Sequence, residues 1–150
     1  MSVQYKSKHG IVSRPAAELY MSFTDMRNFT AMLPEDRRQG VTADFDTISA
    51  TVQGFTIGVK VTRREPYSYI ELQDNGAPLD FTVGIHFDQG PEPGKTDFSI
   101  VVDAELNLMM KMMLGGKIQQ GLDKLVDGLV AVSEGRRPEG MPDDLNDIKF

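Results

Sequence analysis

From Val41 to Leu106 apolar and polar residues alternate with a period of two, and from Leu108 the period lengthens to three and four. That change of period most constrains the fold. Val41, Ala43 and Phe45 share one parity, as do Ile48, Ala50 and Val52. Phe55, Ile57, Val59 and Val61 alternate with Thr56, Gly58, Lys60 and Thr62. Ile70 and Leu72 mark another strand, and Leu79, Phe81, Val83, Ile85 and Phe87 another. Phe98, Ile100, Val102, Ala104 and Leu106 mark the last. Gln53-Gly54, Asn75-Gly76 and the run Gly90-Pro91-Glu92-Pro93-Gly94 are turn signals between them. Turns this short force antiparallel neighbours. With a strand predicted over residues 3–12, the chain holds seven strands, each with one apolar face.

The apolar face needs a cover, and the following segment supplies it. Leu114, Ile118, Leu122, Leu125, Leu129 and Val132 recur at helical spacing, which predicts an amphipathic helix from about Leu108 to Ser133. Gly115-Gly116 near its start predicts a kink or a close contact, and Gly135 and Pro138 end it. After the first strand, Ser13 is expected to cap a short helix with Ala16, Leu19, Tyr20 and Phe23 on one face. Asp25 is expected to cap a second, carrying Met26, Phe29 and Leu33, which Pro34 stops. Residues 134–150 read as a polar tail.

A chain of 150 residues fits one domain and buries a real core without staples. Zero cysteine excludes disulfides, thiolate metal sites and cysteine nucleophiles. With 16 basic and 22 acidic residues the net charge is −6, which speaks against nucleic acid as a partner. No apolar run is long enough for membrane insertion, and residues 1–6 lack a signal-peptide core, so a cytoplasmic protein is expected. Gly90 to Thr96 superficially suggests a phosphate loop, but its glycine spacing is short, two prolines remove donors, and a strand follows. No metal site or cofactor is expected: His9 and His86 fall on opposite parities with no carboxylate at ligand spacing.

The order of elements and several short motifs resemble the START-related helix-grip superfamily, also called SRPBCC or polyketide cyclase/dehydrase-like. The resemblance rests on Val12 to Tyr20, on Thr24-Asp25-Met26-Arg27-Asn28-Phe29, and on Leu33-Pro34. It continues through Lys60 to Pro66 and Ala104 to Met109, covers residues 3–133, and is closest to small bacterial single-domain members. Met32-Leu33 stand where a tryptophan often precedes the proline. The resemblance implies an α+β fold: a curved seven-stranded antiparallel sheet wrapped around a long C-terminal helix, with two short helices after strand 1 and an apolar cavity between sheet and helix.

Mapped by parity onto such a fold, the expected ligand-binding residues are Tyr5, His9, Tyr20, Phe29, Phe55, Ile57, Val59, Phe81, Val83, Ile85, Phe98, Ile100, Met109, Met110 and Met113. The methionines are open to two readings, gap filling in the core or lining a cavity mouth. His9 is either an inward polar group beside Ser7 or a half-exposed histidine at a strand end. Arg63 has interior parity, and Tyr67 and Tyr69 fall outward. The expected interior is nearly all apolar, which suits binding better than catalysis. The expected function is therefore non-catalytic binding or carriage of a small hydrophobic ligand, lipid or polyketide-like. One alternative is a cyclase/dehydratase-type enzyme with His9 as base and Tyr5 or Tyr20 orienting an oxyanion. Another is an interaction module with a filled cavity. A homo-oligomer is compatible with the sequence but not readable from it.

Overall fold

The computed structural model describes residues 2–31, 39–52, 55–76 and 80–135. The elements run β1 (Ser2–Lys6), β2 (Gly10–Val12), α1 (Ala16–Thr24), α2 (Arg27–Ala31), β3 (Val41–Ala43), β4 (Thr47–Val52), β5 (Phe55–Glu65), β6 (Tyr69–Asp74), β7 (Phe81–Gln89), β8 (Thr96–Glu105) and α3 (Leu108–Ser133). One antiparallel sheet has the order β1-β8-β7-β6-β5-β4-β3, with β2 also paired to β8. The α+β architecture, the two short helices and the extent of the long helix agree with the sequence pattern. The tail beyond residue 135 lies outside the described residues.

The strand expected over residues 3–12 is two strands. At the break, the Ser7 amide donates to the Ile100 carbonyl (2.8 Å), and the Ser7 hydroxyl accepts from the Ile100 amide (2.9 Å). The residues around the break turn to α3. Gln119 donates to the Lys6 carbonyl (2.7 Å), and the Lys8 amide donates to Asp123 (2.7 Å). The Lys8 ammonium meets Asp127 at 2.7 Å. Further along, the Ser13 amide donates to the Ser133 hydroxyl (2.9 Å). Ser13 therefore does not cap α1, whose N-cap is Pro15 with no side-chain bond. Gly10 lets α3 approach closely: a Cβ there would sit 2.5 Å from Val126 Cγ1 and 2.7 Å from Val130 Cγ2.

A second correction concerns β5, where the register slips between Val61 and Arg63. The bulge moves Arg64, not Arg63, to the inner face. Arg64 pairs across to Ile70, and its guanidinium donates to the Thr24 hydroxyl (2.6 Å) and carbonyl (2.8 Å), to the Phe45 carbonyl (3.2 Å) and to Asp46 (2.7 Å). It also lies 4.3 Å over the Phe45 ring. This one side chain ties the end of α1 to the β3–β4 turn.

Two carboxylates finish that corner. Asp25 accepts from the Arg27 amide and guanidinium, so it does start α2 as expected. Asp44 accepts from the Thr47 hydroxyl and from the Thr47 and Asp46 amides. The Arg27 side chain holds the Asp25 carboxyl below its ordinary value, and Thr47 does the same for Asp44.

Two predictions follow from this packing. Gly10→Ala forces a methyl into two branched side chains and should cost about 1–3 kcal/mol in urea unfolding. Each depressed carboxylate stabilises the fold fully above the ordinary value of 3.8, and that contribution is lost as pH falls below it through the native value. The protection factors of the Asp46 and Thr47 amides, taken relative to intrinsic exchange, should therefore fall on acidification below about pH 3.8, and Asp44→Asn should flatten that acid dependence while keeping the turn.

Candidate functional site

Strand register arranges the inner face into rows running across the sheet. Phe98 pairs with Phe87. Next come Ile100, Ile85, Ile70 and Arg64, then Tyr5, Val102, Val83, Leu72 and Val61, and last Val3, Ala104 and Phe81. Asp74 and Val59 pair further along that end of the sheet.

The first two rows are filled. Phe87, Phe98 and Ile70 are fully buried, Ile85 and Ile100 nearly so. Phe23 from α1 packs between Phe87 (5.8 Å between centroids) and Phe98 (5.5 Å). Tyr20 meets Phe87 edge-on at 6.3 Å. Met26, Val12 and Val126 complete the cluster. Of the expected ligand-binding residues, Tyr20, Ile85, Phe98 and Ile100 belong to this packed half.

In the other rows Leu72 and Ala104 are buried as well, but their neighbours are less covered. Val59, Val61, Phe81, Val83 and Val102 are only partly buried, as is Ile48 from β4. The amino-terminal turns of α3 lie at this end. Leu108, Met109, Met112 and Met113 are exposed there, Met112 by 77%, while Met110 is half-buried. Met109, Met112 and Met113 therefore do not fill gaps in the core. The Asn107 side chain caps the helix by accepting from the Met110 amide (2.8 Å). The side chains of Phe29, Phe55 and Ile57 lie outside the described residues.

Tyr5 occupies the edge of this open half. Its hydroxyl is buried and has no hydrogen-bond partner among the described residues. It lies against Gly115, where a Cβ would sit 2.9 Å from the oxygen. The close contact expected of the glycine pair is therefore made by Gly115 with Tyr5. A buried hydroxyl without a partner costs about 1–3 kcal/mol.

His9 is not on the inner face. The break at Ser7 ends the parity that would have aimed it inward. Its side chain is 65% exposed, with Nδ1 2.8 Å from Asp97 Oδ1. Tyr5 and His9 are thus not brought together. Tyr67 is 55% exposed, in keeping with its expected outward placement. It sits in the β5–β6 turn with φ +66° and sets its ring edge-on to Tyr20, 5.5 Å away.

The outer face carries a feature that alternation did not reveal. Arg63, Glu65, Ser68, Tyr69, His86 and Asp88 line an open groove of about 280 Å³. Tyr69 and His86 stack with centroids 4.9 Å apart, and Arg63 approaches the Tyr69 ring at 5.8 Å. Burial pushes the Tyr69 hydroxyl above its ordinary value, so it stays protonated at neutral pH. The cross-strand pairing of Tyr69 with His86 could be found only once the register was known. Among the described residues, no cluster of histidine and carboxylate side chains is arranged to hold a metal ion, and no helix is long and apolar enough to cross a membrane.

No protein-family model and no curated protein matches the sequence. Solved structures do match. A protein from Thermobifida fusca, solved by NMR, superposes with a TM-score of 0.67 at 8% identity, covering 89% of this chain and 96% of that one. Norcoclaurine synthase from Thalictrum flavum, in complex with dopamine and hydroxybenzaldehyde, gives 0.62 at 11% identity over 81% and 79%. A protein from Chromobacterium violaceum gives 0.52 at 18% over 89% and 97%. Identities this low establish the fold alone, and it is the helix-grip fold.

The Tyr5–Gly115 contact makes a coupled prediction. Tyr5→Phe removes an unpaired hydroxyl, so stability should hold or rise by up to about 1 kcal/mol. Gly115→Ala gains about 1 kcal/mol of helix propensity, offset in the native chain by the clash with the hydroxyl. In the Tyr5→Phe background that gain should appear in full. Additive effects in a urea double-mutant cycle would refute the contact.

Proposed function

We propose that the protein binds a small, mostly apolar molecule in the open half of the grip, between the inner sheet face and the amino-terminal half of α3. The observation that carries this is the unequal filling of the inner face. One half is packed by α1 and an aromatic cluster, while Val59, Val61, Phe81, Val83 and Val102 remain partly uncovered beside the buried hydroxyl of Tyr5. Apolar surface left open in a concave face is the usual basis of small-molecule binding. Covering it contributes about 25 cal/mol per Å² before the costs of association. Ligands found with norcoclaurine synthase show that this fold can hold small aromatic molecules. Binding is favoured over catalysis by the position of His9, which faces solvent and pairs with Asp97 instead of standing beside Tyr5.

Native mass spectrometry of the gently purified protein, with a solvent extract run in parallel, tests the reading. The expected result is a lipid-sized adduct, together with saturable uptake of the neutral apolar dye N-phenyl-1-naphthylamine. Bare mass with no dye uptake would overturn it.

A further inference from the structure

The buried hydroxyl of Tyr5 also bears on the chemistry of the ligand, and this step rests on the binding reading above. The hydroxyl is closed off from water and has no acceptor among the described residues. Its neighbour is Gly115, and the following residue, Gly116, is exposed, with open space where a Cβ would stand. Two consecutive glycines are the weakest point of a helix. Amino-terminal to them, Leu108, Met109, Met112 and Met113 are exposed and Met110 and Leu114 are half-buried, so displacing those turns breaks limited apolar packing, with the fully buried Leu106 as the anchor before the helix. Carboxy-terminal to them, the bonds from Gln119, Asp123 and Ser133 hold the helix to the β1–β2 segment. Movement at the glycine pair can open the Tyr5 hydroxyl while leaving the rest of the helix docked.

Charge decides what the hydroxyl meets. On the inner face, the guanidinium of Arg64 is already held by Thr24, Phe45 and Asp46. Asp74, at the open end, is acidic and accepts from the Phe81 amide (3.0 Å). Among the described residues of the inner sheet face, a buried carboxylate would find no free counter-ion, and that is far costlier than burying a neutral oxygen that accepts one hydrogen bond. We propose that the ligand is an uncharged, oxygen-bearing apolar molecule, a ketone or ester rather than a free fatty acid. Its oxygen accepts from Tyr5 Oη after α3 pivots at Gly115-Gly116.

Displacement of N-phenyl-1-naphthylamine by undecan-2-one, undecane and undecanoate tests this on the wild type and on Tyr5→Phe. The ketone should bind more tightly than undecanoate at neutral pH. Tyr5→Phe should weaken the ketone roughly five- to tenfold and leave undecane unchanged. A loss confined to the ketone, in a variant at least as stable as the wild type, is an effect that a purely structural role does not produce. Tight ketone binding that ignores Tyr5→Phe, or undecanoate binding more tightly than the ketone, would overturn the proposal and leave the binding function standing. If neither the dye nor any of the three probes binds, both readings fall.

Discussion

The fold depends on how α3 is held to the broken first strand. Where β1 gives way to β2, backbone groups leave the sheet ladder and need partners. The helix carries them one turn apart: Gln119 for the Lys6 carbonyl, Asp123 for the Lys8 amide and Asp127 for the Lys8 ammonium. Ser133 takes the Ser13 amide. Between these polar ties Gly10 brings the backbone against Val126 and Val130, so the helix is fixed in both position and rotation. The break is therefore not a defect in the strand. It is the docking edge for the helix, and it determines which half of the sheet is covered.

Arg64 does the corresponding task at the opposite side of the core. It carries charge-assisted bonds to Thr24 and Asp46 and stacks on Phe45, joining α1 to the β3–β4 turn. Its side chain is 24% exposed, which leaves part of the charge in water and lowers the cost of placing an arginine on the inner face. With both fastenings made at the aromatic end, the packed half needs nothing further to close, and the open half is free to be shaped for a different purpose.

Much of this was legible in the sequence, for a physical reason. A period of two and a period near 3.6 are imposed by backbone geometry, so the antiparallel sheet, α3 and both short helices could be read directly. Parity carries forward only while the strand is unbroken. One irregularity, at Ser7, turned His9 to the surface, and a second, after Val61, exchanged Arg63 for Arg64. The rows across the inner face, and hence the division between Phe98 or Ile100 and Val83 or Tyr5, follow from strand register, which a single chain does not display. The methionine pattern did not separate gap filling from the border of an opening, because exposure follows from where the helix begins relative to the sheet. Tyr5 was found by parity, but the want of a partner for its hydroxyl is a property of the packing alone.

The one-sided fastening of α3 bears on how such a protein can change over time. Residues that hold the fold and the exposed methionines lie on different stretches of the same helix, separated by Gly115-Gly116. Substitutions among the exposed methionines alter the surface of the first turns while sparing the ties at Gln119, Asp123 and Ser133. Change at those positions then costs little folding free energy, so this end of the molecule can diverge in surface long before the chain diverges in shape.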